Sequence, residues 1–97
     1  MRHFIVELTY TVSFEQLQSS LPDHRTFLND GYKLGWALYS GPQEPKRGGI
    51  IVARAPDIAD IRTYLAEDPL QKKGLAVYRI IEFTPVRWQP ALDEWCR

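Results

Sequence analysis

Hydrophobic and polar residues alternate with a period of two across residues 4–12. Phe4, Val6, Leu8, Tyr10 and Val12 fall on one side, and His3, Ile5, Glu7, Thr9 and Thr11 on the other. Side chains of a strand point to opposite faces in turn, so this pattern predicts a strand with one buried face. The period then changes. Ser13 is placed to cap a short helical turn beginning at Phe14, and Pro22 suits the first position of a longer helix over 22–34, which Gly35 closes. Residues 36–40 read as a second strand, the Gly- and Pro-rich stretch 41–49 as a loop, and 50–54 as a third strand. A second helix starts at Pro56 or Asp57, carries Ile58, Ile61 and Leu65 along one stripe, and is predicted to reach Asp68, with Pro69 pushing the residue before it out of helical geometry. A fourth strand is predicted over Ala76–Phe83. Pro85 and Pro90 interrupt the tail, which has room for a brief helical turn over 91–95.

The order strand, helix, strand, strand, helix, strand is the split βαβ arrangement of an α+β, ferredoxin-like fold, with an antiparallel four-stranded sheet and helices on one face. Right-handed crossovers make the first and second strands parallel, and likewise the third and fourth. If the first strand points up, the start of the first long helix, the end of the second strand and the end of the second helix all finish at the top. Helices cover one face only, yet Ile50, Ile51, Val52 and the segment from Val77 to Ile81 are apolar on both. An apolar face of that size predicts an interface, and two sheets stacked face to face in a homodimer would cover it.

The chain has 97 residues, enough for one domain that buries roughly 60 to 65% of its unfolded surface without disulfides. Twelve Lys and Arg balance twelve Asp and Glu. With no basic block beyond Lys72-Lys73, the sequence points away from nucleic acid or an anionic membrane as partner. Cys96 is the single cysteine, read as an unspecialised thiol. Together with an N-terminus lacking a signal-like apolar run, it leads to an expected cytoplasmic location.

Two polar residues stand out against this background. His24 interrupts the apolar stripe Leu17, Leu21, Leu28 and Gly31 of the first long helix, and Asp68 ends the stripe of the second, so the topology brings both to one rim. Imidazole is easily poised for proton transfer near neutral pH, and a carboxylate beside it would fix its tautomer. The plain alternative for His24 is a half-buried histidine bonded to a backbone carbonyl. For Asp68 it is the N-cap of a short helix, Asp68-Pro69-Leu70-Gln71, closed by Gly74. A cap uses one carboxylate oxygen, so both roles fit together. Ser40, at the end of the second strand, is positioned to bond a substrate oxygen or the pair, though Ser before Gly-Pro is also ordinary turn chemistry. The 41–49 loop lacks the spacing of a phosphate-binding loop. No cofactor is expected. His3 and Glu7 lie on the strand face expected to meet a partner copy, so no metal is expected either. Trp88 and Trp95 are expected to pack the tail against the body or the partner.

His24 with Phe27-Leu28, Gly35, Ser40-Gly41-Pro42, Gly48-Gly49, Asp68-Pro69-Leu70 and Gly74-Leu75 together resemble the YciI-like (YCII-related) proteins. The likeness runs from Met1 to about Pro85, which divides the chain into a domain over 1–86 and a C-terminal extension over 87–97. The resemblance implies a ferredoxin-like domain pairing into a dimeric α/β barrel. It also implies an active site at His24 and Asp68, with Ser40 lining the same pocket. Leu70 departs from the family, where an aromatic residue usually follows Asp-Pro. Most members have no assigned reaction, and some resemble enzymes of aromatic-compound breakdown, including a dehydrochlorinase of chlorinated hydroquinones. Two function classes follow. One is a small enzyme moving a proton on a small organic molecule in lyase, isomerase or dehydrochlorinase-like chemistry. The other is a non-catalytic small-ligand-binding or assembly module of a metabolic pathway.

Overall fold

The computed structural model describes residues 1–97. The alternating segment becomes β1 (Arg2–Tyr10), in which Phe4, Val6 and Leu8 are at most 1% exposed. It pairs antiparallel with β3 (Gly48–Ala55) on one side and β4 (Ala76–Phe83) on the other, while β2 (Ala37–Pro42) pairs antiparallel with β3. The sheet order is β2-β3-β1-β4, so β1 runs parallel to β2 and β3 parallel to β4. This is the antiparallel α+β sheet expected from the element order.

All helices that build the core lie over one face. Ser13 opens α1 (Phe14–Leu17) with a reciprocal cap, its side chain accepting from the Gln16 amide while the Gln16 side chain accepts from the Ser13 amide. A 3-10 turn (Gln18–Ser20) leads into α2 (Leu21–Lys33), which has Pro22 in its first turn. Asp57 caps α3 (Ile58–Ala66) by accepting from the Ala59 amide. A short α4 (Pro69–Lys72) follows. Leu17, Phe27, Ile61, Leu65 and Leu70 from these helices close over Phe4, Val6, Leu8, Ile51 and Ala53 in one apolar cluster. Removing so many apolar side chains from water is the main driving force for folding.

Several boundaries differ from the sequence expectation, each for a visible reason. β1 stops at Tyr10 rather than Val12, and the Thr11 amide turns to the Leu75 carbonyl. β2 and β3 extend into the stretch predicted as a loop, because Gly49 pairs with Pro42 and Leu8. Gly48 is packed so closely on β1 that any Cβ would overlap the Leu8 carbonyl. Its glycine marks a close backbone approach inside a strand rather than a turn. Gly35 does close α2, with φ +76. The stripe of α3 does not reach Asp68. The helix ends at Ala66, and Asp68 is the extended residue capping α4.

The opposite face of the sheet carries Ile5 flanked by Val52 and Ile81, with Ile50, Tyr39 and Val77 around them. Ile81, Val77 and Tyr39 are 38, 59 and 63% exposed. One end of this face is covered from within the chain. After β4 the tail turns through a 3-10 segment (Pro90–Leu92) into α5 (Asp93–Cys96). The Arg54 guanidinium lies 4.2 Å from the centre of the Trp95 ring and donates to the carbonyls of Glu94 and Trp95. His3, expected on a partner-facing surface, is instead 6% exposed, edge-on to Phe83 and Trp95. Trp88 donates to Asp93 inside the tail, and Cys96 is half-buried. No helix is long and apolar enough to cross a membrane.

Candidate functional site

Pro69 and the cap set the position of Asp68. With its backbone extended at φ −62, ψ 126, Asp68 turns its side chain back to accept from the Leu70 amide at 3.0 Å, and it is entirely buried. A carboxylate removed from water requires several donors. It has three here: the Leu70 amide on Oδ1, the Tyr78 hydroxyl on Oδ2, and the His24 ring, whose Nδ1 lies 2.9 Å from both oxygens. The amide can only donate, and an Asp68 carboxylate that accepts from it and from the Tyr78 hydroxyl makes Nδ1 the donating ring nitrogen of His24.

His24 reaches this carboxylate from the first turns of α2, with only 12% of its side chain exposed. Leu21, His24 and Leu28 share one face of the helix, at spacings of three and four residues. All three border a cleft of about 350 Å³ between α2 and the open ends of β1, β2 and β3. With Nδ1 held by Asp68, Nε2 is the ring nitrogen left for the cleft.

Tyr78 projects from the helix-facing side of β4, opposite Leu8. Burial raises its phenol well above the ordinary value, and the hydrogen bond to Asp68 raises it further. Tyr64 and Tyr10 shift the same way, each through burial first and the Asp68 charge second. Three tyrosines held in their protonated form therefore surround one sealed carboxylate. Tyr64 stacks on Phe27 with ring centres 4.4 Å apart and donates to its carbonyl, fixing α3 against α2.

Ser40 borders the same cleft, but its hydroxyl lies 2.6 Å from that of Tyr32 rather than on the His24–Asp68 pair. Leu70 is fully buried in the core and does not border the cleft, so the change from an aromatic residue there is a matter of packing. The sequence reading missed Tyr78 and Tyr32 as partners. A hydroxyl on the inward side of β4, in step with Ala76 and Ile80, was the available signal for Tyr78. No group of three or more His, Cys, Asp or Glu is arranged to hold a metal ion.

The fold and this rim define a ferredoxin-like α+β protein with a histidine-bearing cleft at one end of its sheet. The chain belongs to the YCII-related domain family, whose model matches residues 1–84. Among solved structures it is similar to the 5-chloro-2-hydroxyhydroquinone dehydrochlorinase of Burkholderia phenoliruptrix AC1100 in complex with 2,5-dihydroxybenzoquinone. That likeness has a TM-score of 0.68 at 17% identity, covering 92% of this chain and 94% of that one. No curated protein matches the chain in sequence.

Proposed function

We propose that this protein is a small cytoplasmic enzyme that moves a proton on a small organic molecule, with His24 as acid and base and Asp68 as its orienting partner. The observation that carries this reading is the imidazole held between both Asp68 oxygens at 2.9 Å while bordering a cleft large enough for a single-ring compound. In this arrangement Nε2 takes a proton from an acidic C–H or O–H of the bound molecule. Nδ1 keeps its proton and donates it to Asp68, whose charge stabilises the imidazolium. Returning the proton to a different atom completes an isomerisation. If a chloride leaves from the neighbouring carbon instead, a double bond forms and HCl is lost overall. The dehydrochlorinase named above, with the same fold, makes elimination the first chemistry to assay. Ser40, tied to Tyr32, lines the substrate pocket. The uncovered sheet face supports a homodimer, and residues 87–97 serve as an extension that braces one end of that face.

Two variants test the dyad. His24→Ala should lower kcat by about 100- to 10,000-fold while leaving the folded protein intact. Asp68→Asn keeps an oxygen for the Leu70 cap but no longer fixes the imidazole tautomer, so it should lose comparable activity with a smaller change in Tm than Asp68→Ala. Full turnover in both variants would remove the dyad from the mechanism. Unchanged ligand binding with a loss of thermal stability alone would identify a binding module rather than an enzyme.

A further inference from the structure

The charged groups that border the cleft, apart from the imidazole, are Arg25 and Lys46, and no Asp or Glu borders it. Arg25, the residue after His24 on α2, makes no ion pair within the protein. Lys46 has only Glu44 at 3.9 Å, with both side chains largely exposed, a contact worth little in water. Asp68 is sealed behind the imidazole and already accepts from three donors. The charged groups bordering the cleft are therefore all basic, offset only by the exposed Glu44 beside Lys46.

The uncharged polar lining has the same bias. Tyr10 borders the cleft from the end of β1, burial and the Asp68 charge raise its phenol, and its hydroxyl makes no hydrogen bond inside the protein. The sheet-side wall is apolar at Leu8 and Ile51, and the helix-side wall at Leu21 and Leu28. A flat ring fits between such walls, and an inorganic ion would leave them unused. Beside the Tyr10 and Ser40 hydroxyls, Nε2 of His24 is the ring nitrogen left to accept a proton there.

We propose that the cleft takes a small planar organic anion, a single ring bearing a carboxylate or an ionised ring hydroxyl, with Arg25 and Lys46 holding the charge and Tyr10 donating to an oxygen. The inference rests on the reading of this cleft as the substrate site, and it adds the substrate's charge and shape. Arg25 and Lys46 are specificity residues here, since anion binding at the rim does not require proton transfer by His24.

The test compares salicylate with salicylamide, which share a shape and differ in charge, by calorimetry on the full chain. Salicylate should bind at least about tenfold more tightly, and added salt should shrink that margin. The exposed-site double variant Arg25→Gln, Lys46→Gln should lose most of the margin while salicylamide binding and Tm stay unchanged. Tyr10→Phe should weaken salicylate by a smaller factor. Equal binding of acid and amide, a margin that survives in the double variant, inorganic phosphate binding as tightly as salicylate, or no binding of either ring compound at millimolar concentration would each overturn the proposal. His24→Gln should still prefer salicylate. Equal binding of acid and amide by the parent protein with turnover intact would refute the anion site alone, and full turnover in His24→Ala would refute the dyad alone.

Discussion

Asp68 concentrates most of the chemistry in one side chain. It caps α4, accepts from Tyr78 and orients His24, and it has no exposed surface. Tyr78→Phe leaves the ring in place but strips Oδ2 of a donor, at a cost of about 1 to 3 kcal/mol, seen as a drop of several degrees in Tm. It should also change the alkaline limb of stability. The folded-state value of Tyr78 is raised, so its contribution is complete below about pH 10 and is lost as pH climbs above that toward the raised value. The variant should therefore lose less stability above pH 10 than the parent, measured by denaturant unfolding, with Tyr64 and Tyr10 leaving a residual slope. His24 was conspicuous in the sequence as a polar residue breaking an apolar stripe, whereas Asp68 was legible through the capping signal of Asp68-Pro69 and not through the α3 stripe, which stops short of it. Tyr78 was not, because a tyrosine on a half-buried strand looks like any amphipathic core residue.

Among the elements, helix and strand identities follow from periodicity, while their ends depend on backbone contacts that periodicity does not encode. Asp57, Ser13 and Gly35 signalled their caps by residue type alone. Gly48 did not signal its role, since a glycine packed against the Leu8 carbonyl and a glycine in a turn are spelled alike. The tail shows the same limit. Pro85 and Pro90 marked it as irregular, but only the fold brings Trp95 onto Arg54 and His3. That packing has a pH signature. Burial, the N-terminal ammonium and Arg54 lower the His3 value, so the unfolded chain binds more protons below about pH 6.5. Stability should be complete above that pH and fall as pH drops through it, and His3→Gln should flatten the fall. Trp95→Ala, read by thermal unfolding, should cost about 1 to 2 kcal/mol through the lost ring and cation contact.

At the scale of the whole molecule, the two faces of the sheet have different fates. The helix side is closed, while on the other side Ile5 and Val52 are partly exposed and Ile81 exposed, forming an apolar centre. Sedimentation at micromolar concentration should give twice the 11.3 kDa chain mass, and Val52→Lys, a charge placed at that centre, should return the monomer. A parent protein that sediments at the single-chain mass would remove the dimer. The length of β1 separates two workings of the protein, because His3 under the tail and Tyr10 beside the cleft stand at its opposite ends. Free-energy changes at sites that share no partners add. A chain carrying both Trp95→Ala and Asp68→Asn should thus show the sum of the two single losses in stability. The end bearing the tail can then be rebuilt, shortened or fused to another protein without retuning the end that holds the cleft.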